Sequence, residues 1–235
     1  MTASGKTCLV TGVGPGTGSA LAKRFAAAGY RVAMLARDEA RLRQLEASLP
    51  GCLGFVCDVG NEGELRQAVS QVQDSLGDPH TVIHNAVSAN LTDFMSLAAH
   101  DLRKNFETNT IALLHLAQLT APSMIKAGEG VIMATGNTAA YRGKANFAGF
   151  APTKASQRIL LESMARSLGP QGVHVAYVAI DAVIDVPWTR EAFSDRPDDF
   201  FCQPADIAEE CFRLANQAKS AWSFESMIRP FGENW

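Results

Sequence analysis

One stretch limits what this chain can fold into more than any other: Thr11-Gly12-Val13-Gly14-Pro15-Gly16-Thr17-Gly18. It directly follows the apolar run Lys6–Thr11 and opens an amphipathic segment near Thr17–Ala28. Glycine at this density lets a backbone turn tightly and approach another group closely. The helix that follows has first-turn amides without partners of their own, so the turn reads as a seat for an anion. A strand–glycine turn–helix unit is the seat of a dinucleotide pyrophosphate, with Gly12, Gly14, Gly16, Thr17 and Gly18 around it. A tight turn that binds nothing is the plain alternative.

The rest of the chain repeats the same alternation. Short apolar runs fall at Tyr30–Ala36, Cys52–Cys57, His80–His84, Gly130–Thr135, Val173–Ala179 and Phe224–Arg229. Helical patterns separate them at Asp38–Leu49, Glu62–Leu76, His100–Lys126, Ala148–Leu168 and Pro204–Gln217. Strands alternating with helices predict a parallel sheet covered on both faces. The expected fold is therefore α/β and doubly wound; with the glycine turn after the first strand it is of the Rossmann type, for which about seven strands in order 3-2-1-4-5-6-7 are expected. The 235 residues suit one domain, 1–235. Residues 181–203 form the one long irregular stretch and carry Trp188, Phe193, Phe200 and Phe201. A loop of that length after strand six is expected to act as a lid over the carboxyl edge of the sheet.

Composition narrows the partners. A net charge of -3 argues against nucleic acid or an acidic membrane. No apolar stretch is long enough to span a bilayer, and Met1–Lys6 lacks a signal core, so a cytoplasmic protein is expected. Five cysteines without a CxxC spacing suit a reducing compartment. The five histidines show no metal-ligand spacing, and no metal is expected.

The spacing TGxxxGxG resembles that of the short-chain dehydrogenase/reductase family, and the likeness runs nearly the length of the chain. Asp58-Val59 is similar to the family's adenine-contacting acid segment, and Asn85-Ala86 to its NAG segment, with Val87 in place of glycine. Asn109 matches the helix asparagine, and Gln203–Ala208 the start of the late helix. The resemblance implies an NAD(P) cofactor held by the glycine turn and by Asp58, Val59, Asn85 and Ala86, together with Ile184 and Lys154. Strand two ends Leu35-Ala36-Arg37-Asp38. NAD users of the family carry Asp at the place of Ala36, whereas the Arg37 guanidinium suits a 2′-phosphate. NADP is expected, with NAD the alternative; Asp38 offsets part of the charge, and Pro15 stands where many NADP users have a second base.

The resemblance also implies hydride transfer assisted by Asn, Ser, Tyr and Lys. Two of the four are replaced. Asn137 occupies the Ser position, and YxxxK reads Phe150-Ala151-Pro152-Thr153-Lys154. Asn109 and Lys154 remain; Phe150 has no proton to give. Asp181-Ala182 stands where the family has Pro-Gly. One reading is an oxidoreductase acting on a small carbonyl or alcohol with another proton donor, for which Tyr141 and Asp181 are candidates. The other is an inactive NADP-binding sensor or scaffold. A pure interaction protein with an empty pocket is a third. Tyr141 as a solvated loop residue and Asp181 as a loop fastener are the plain alternatives for those two. The helices near 100–126 and 148–168 pair across dimers in the family, which implies a homodimer or homotetramer.

Overall fold

The structure is a computed structural model and describes residues 5–232. Residues 1–4 and 233–235 of the expected domain lie outside the described residues, as do all but the end of the Met1–Lys6 stretch. Along the chain run β1 (Thr7–Thr11), α1 (Thr17–Ala27), β2 (Arg31–Ala36), α2 (Glu39–Ser48), β3 (Cys52–Val56), α3 (Glu62–Leu76) and β4 (Pro79–His84). Next come α4 (Ala99–Phe106), α5 (Ala112–Ala127), β5 (Gly130–Asn137), α6 (Ala151–Leu168) and β6 (Val173–Ile180). The last part holds β7 (Val183–Ile184), α7 (Pro187–Ala192), β8 (Phe201–Cys202), α8 (Pro204–Ala215) and β9 (Glu225–Ile228).

Seven strands pair in parallel in the order β3-β2-β1-β4-β5-β6-β9. The order is the doubly wound one; the last strand is ninth in the chain because β7 and β8 form a separate two-stranded sheet. All residues of β1 and β6 are buried, as strands covered on both faces must be. One face packs Leu65, Val69, Leu113, Leu116 and Leu161 from α3, α5 and α6. The other packs Leu21, Phe25, Leu42, Ile207 and Leu214 from α1, α2 and α8. Each such side chain contributes roughly 1.5–3 kcal/mol by leaving water. Local signals set the helix ends. Asp38 caps α2 by accepting from Arg41 N at 3.0 Å, Asn61 caps α3, and left-handed Gly128 ends α5.

Two expectations are corrected. The long helix over 100–126 is divided: a π-helical turn, Glu107–Ile111, sits between α4 and α5. The stretch 181–203 is built rather than irregular. Its strands β7 and β8 pair in parallel, and Arg190 of α7 ties Asp185 at 2.6 Å to Asp198 at 2.6 Å. Periodicity detects neither feature, because a π turn keeps the helical pattern and two-residue strands have none. Among the described residues no helix is long and apolar enough to cross a membrane, and no cluster of His, Cys, Asp or Glu suits a metal. All five cysteines are buried thiols.

Candidate functional site

A cleft of about 650 Å³ opens at the carboxyl ends of β1, β2 and β4. Its floor is the glycine turn. Gly12 has φ +70°, and a Cβ there would lie 2.5 Å from the backbone of Ala86. A Cβ on Gly18 would meet the backbone of Gly12 and Val13, and one on Gly16 would sit 2.6 Å from Val186 Cγ1. Only glycine allows these approaches. Gly14 N donates to Gly12 O at 2.8 Å, and the Gly14 carbonyl accepts from Ser19 N. The turn is thereby fastened to the first turn of α1.

Thr17 Oγ1, at the start of that helix, is buried with no hydrogen-bond partner among the described residues. A native hydroxyl left without a partner at the start of a helix fits a phosphate oxygen. This is the observation in the chain's own geometry that a dinucleotide satisfies.

The rest of the expected cofactor set gathers on the same cleft: Arg37, Asp58, Val59, Asn85, Ala86 and Ile184 all line it. Asn85 is fixed from both sides. Its Nδ2 donates to Gly12 O at 2.9 Å and its Oδ1 accepts from Thr135 Oγ1 at 2.8 Å. Trp188 of the expected lid lines the cleft too, and so do Arg41, Lys104 and Ser88, which the sequence did not single out. Arg41 stands in the first turn of α2, just past the end of β2 where Arg37 lies, a place that could have flagged it. Asp38 pairs with Arg41 at 2.9 Å, whereas Arg37 meets no carboxylate among the described residues. Trp188, 68% exposed, projects from α7.

The expected catalytic residues do not line this cleft; they lie behind and beside it. Asn109, fully buried, accepts from Ser88 N at 2.9 Å and donates to Ser88 O and to Thr153 Oγ1, both at 2.8 Å. Lys154, 2% exposed, donates to Thr135 O at 3.3 Å and to Gln157 Oε1 at 3.0 Å. Burial without a carboxylate pulls its pKa down to about 7. Phe150, 6% exposed, packs edge-on against Phe147, with its ring centroid 5.9 Å from Lys154 Nζ. Asn137 Oδ1 accepts from Ala139 N at 3.1 Å and so caps a short turn.

Tyr141 and Asp181 are engaged elsewhere. The Tyr141 ring lies 5.2 Å from the Arg158 guanidinium. Desolvation, with Glu225 beside it, pushes its hydroxyl up to about 12. Asp181 Oδ1 accepts from Thr138 Oγ1 at 2.6 Å, and the carboxylate faces Arg142 at 3.7 Å and Arg229 at 3.9 Å.

His84 lies beneath the site, between Thr11 Oγ1 and Thr108 O, both at 3.0 Å. The carbonyl can only accept, so Nε2 carries the proton and Nδ1 accepts from Thr11. Burial, then the nearby Lys154, lowers its pKa to about 3. The unfolded chain binds this proton below about 6.5 and the folded chain does not. His84 therefore costs stability increasingly as pH falls from about 6.5 towards 3. Urea midpoints across that range should fall less steeply in His84→Gln than in the native protein; equal slopes would refute the assignment.

The comparisons with known proteins bear on the family and the fold. The family described as short chain dehydrogenase matches residues 6–197. The 7alpha-hydroxysteroid dehydrogenase of Escherichia coli K12 is 30% identical over 228 residues, covering 92% of this chain and 89% of that one. The L-xylulose reductase of Bos taurus is 30% identical over 193 residues, or 82% of this chain and 77% of its own. A metagenomic short-chain oxidoreductase solved in complex with NADP superposes with a TM-score of 0.85 at 25% identity, covering 98% of this chain and 99% of that one. With its glycine turn, sheet order and this likeness together, the chain belongs to the short-chain dehydrogenase family.

Proposed function

We propose that the protein is an NADP-dependent oxidoreductase that moves hydride between NADPH and a small carbonyl or alcohol. The observation that carries this reading is the cleft itself. One end presents Arg37 and Arg41, the middle is a glycine turn with a partnerless Thr17 hydroxyl, and the buried Lys154 stands behind the far side. When bound, NADPH would supply the hydride. Asp58 and Val59 would flank the adenine, and Gly12 to Gly18 would hold the diphosphate. Asn85 and Ala86 would border the nicotinamide, with Lys154 toward its ribose. The NADP held by the metagenomic relative supports the choice of coenzyme.

Asn109 anchors the loop after β4 through Ser88 and so shapes the wall of the site. Asn137 retains a side-chain amide that can donate to a carbonyl oxygen. Tyr141 and Asp181 are not assigned as acids, since each is committed to charged neighbours. The stretch 181–203 serves as the lid, because Val186 already rests on Gly16 and Trp188 overhangs the cleft. We place self-association on α5 and α6, where Ile125 and Ile159 are exposed. Binding without turnover is the second reading, and the buried Phe150 at the acid position favours it.

Calorimetric titration with both coenzymes tests the reading. Native protein should bind NADPH at least tenfold more tightly than NADH. Arg37→Asp together with Arg41→Ala should remove that preference, because an acid at the strand end repels a 2′-phosphate and suits a ribose diol. Oxidation of NADPH in the presence of a panel of small ketones and aldehydes then measures turnover. No heat with either coenzyme at millimolar concentration would end the proposal.

A further inference from the structure

Lys154 places an amine in the interior. Its amino group is buried, and no carboxylate lies within ion-pairing distance among the described residues. The groups facing it come from three elements. Thr135 O belongs to β5, the carboxamide of Gln157 and, at its N-terminal end, the Phe150 ring to α6, and His84 to β4. His84 is the titratable one among these, and it is neutral across the physiological range.

Among the described residues Gln157 is the one side chain that holds Lys154 Nζ by a hydrogen bond, and it is fully buried. Its two ends are both used. Oε1 accepts from Lys154 Nζ at 3.0 Å, and Nε2 donates to the Asn109 carbonyl at 2.6 Å. That carbonyl lies in the π turn between α4 and α5. A π turn departs from the regular helical ladder, and such turns gather at functional sites. The carboxamide therefore joins α6 to that π turn, with the lysine at its other end.

We propose that Gln157 is a positioning residue: its carboxamide, hung from the Asn109 carbonyl, aims the Lys154 amino group at the cofactor ribose while leaving its charge unneutralised. The proposal rests on the cofactor reading above. The residue type carries the argument. Glutamate at 157 would form a buried ion pair, keep the lysine charged in every state and compete with the cofactor for it. An apolar residue would leave both a lysine donor and the Asn109 carbonyl without partners. A neutral carboxamide is the side chain that satisfies both while exerting no net charge on the amine. Burial accordingly dominates the lysine, whose pKa lies near 7 in the free protein.

The test reads the lysine directly and then the cofactor. In native protein labelled with carbon-13 at lysine Cε, one of the seven lysines should titrate several pH units below the others. Lys154→Met should delete that signal. Gln157→Glu should move its midpoint up by at least one pH unit. Gln157→Met, which keeps the side-chain volume, should weaken NADPH binding about tenfold in calorimetry, with Arg37 and Arg41 intact. Gln157→Glu should also abolish the proton uptake that accompanies NADPH binding at pH 8 in native protein. A lysine midpoint unmoved by Gln157→Glu, or native NADPH affinity in Gln157→Met, would overturn the positioning role. Failure of native protein to bind NADPH would instead sink the cofactor reading, and the lysine titration would still decide whether Gln157 governs Lys154.

Discussion

Replacing Phe150 with tyrosine should raise NADPH-dependent carbonyl reduction by about 10²–10⁴-fold, the range a positioned general acid contributes. The gain should appear in kcat and not in KM, because a proton delivered to the substrate oxygen stabilises the transition state alone. The geometry is prepared for the change. Phe150 stands at the N-terminal end of α6, held by Phe147 on one side and Ala139 on another, so a phenol ring has the same seat. Lys154 Nζ lies 5.9 Å from the ring centroid, near enough for its charge to favour a phenolate and lower the new hydroxyl's pKa. Steady-state rates on a carbonyl panel, with NADPH affinity measured in parallel, check the expectation. Adding Lys154→Met to the Phe150→Tyr protein should erase the gain. An unchanged rate in Phe150→Tyr with native NADPH affinity would mean that the site already has its own donor, or that no carbonyl is brought to it.

What the sequence made legible was local. The glycine turn announces itself because the strand, the turn and the helix are contiguous, and because glycine is needed wherever two backbones touch. The doubly wound sheet follows from the strand–helix rhythm, whereas the order of its strands came with the fold type that the glycine turn and the family resemblance imply. Arg37, Asp58, Asn85 and Ile184, the last three singled out by the family resemblance, reach one cleft because each stands at or just beyond a strand's carboxyl end. What stayed hidden was set by pairings across the chain. Gln157 reads as an ordinary polar residue on a helix until the π turn at Asn109 comes beside it. The direction of Tyr141 depends on Arg158 and Glu225, and Glu225 enters only with the last strand of the sheet. Asp181 was legible as a polar residue at a strand end, but Arg142 and Arg229, which face it, come from two separate loops. Ser88 follows the NAG-like segment directly, yet its importance rests on Asn105 and Asn109 holding it. A sequence pattern shows which residues share an element; it does not show which elements share a carbonyl.

Gly12→Ala should reduce NADPH affinity by more than about 100-fold and lower stability by about 1–3 kcal/mol, the usual cost of forcing an extra methyl into packed surroundings. The added carbon would lie 2.5 Å from Ala86 N and Cα and 2.9 Å from the Asn85 carbonyl carbon. These are backbone atoms, so no side chain can swing aside to make room. The positive φ of Gly12 adds strain for any residue with a Cβ. The loop after β4 would have to retreat, and with it the Asn85 Nδ2 bond to Gly12 O and the Thr135 bond to Asn85. Both walls of the cleft hang on that junction, so the phosphate seat and the nicotinamide edge should be lost together. Gly14→Ala is the control for stability: a Cβ there meets nothing within 4 Å and the backbone is unstrained, so its thermal midpoint should stay native. Calorimetry with NADPH and thermal unfolding of both variants separate the two effects. Native affinity in Gly12→Ala would show that the close approach of these two backbones does not build the cofactor seat.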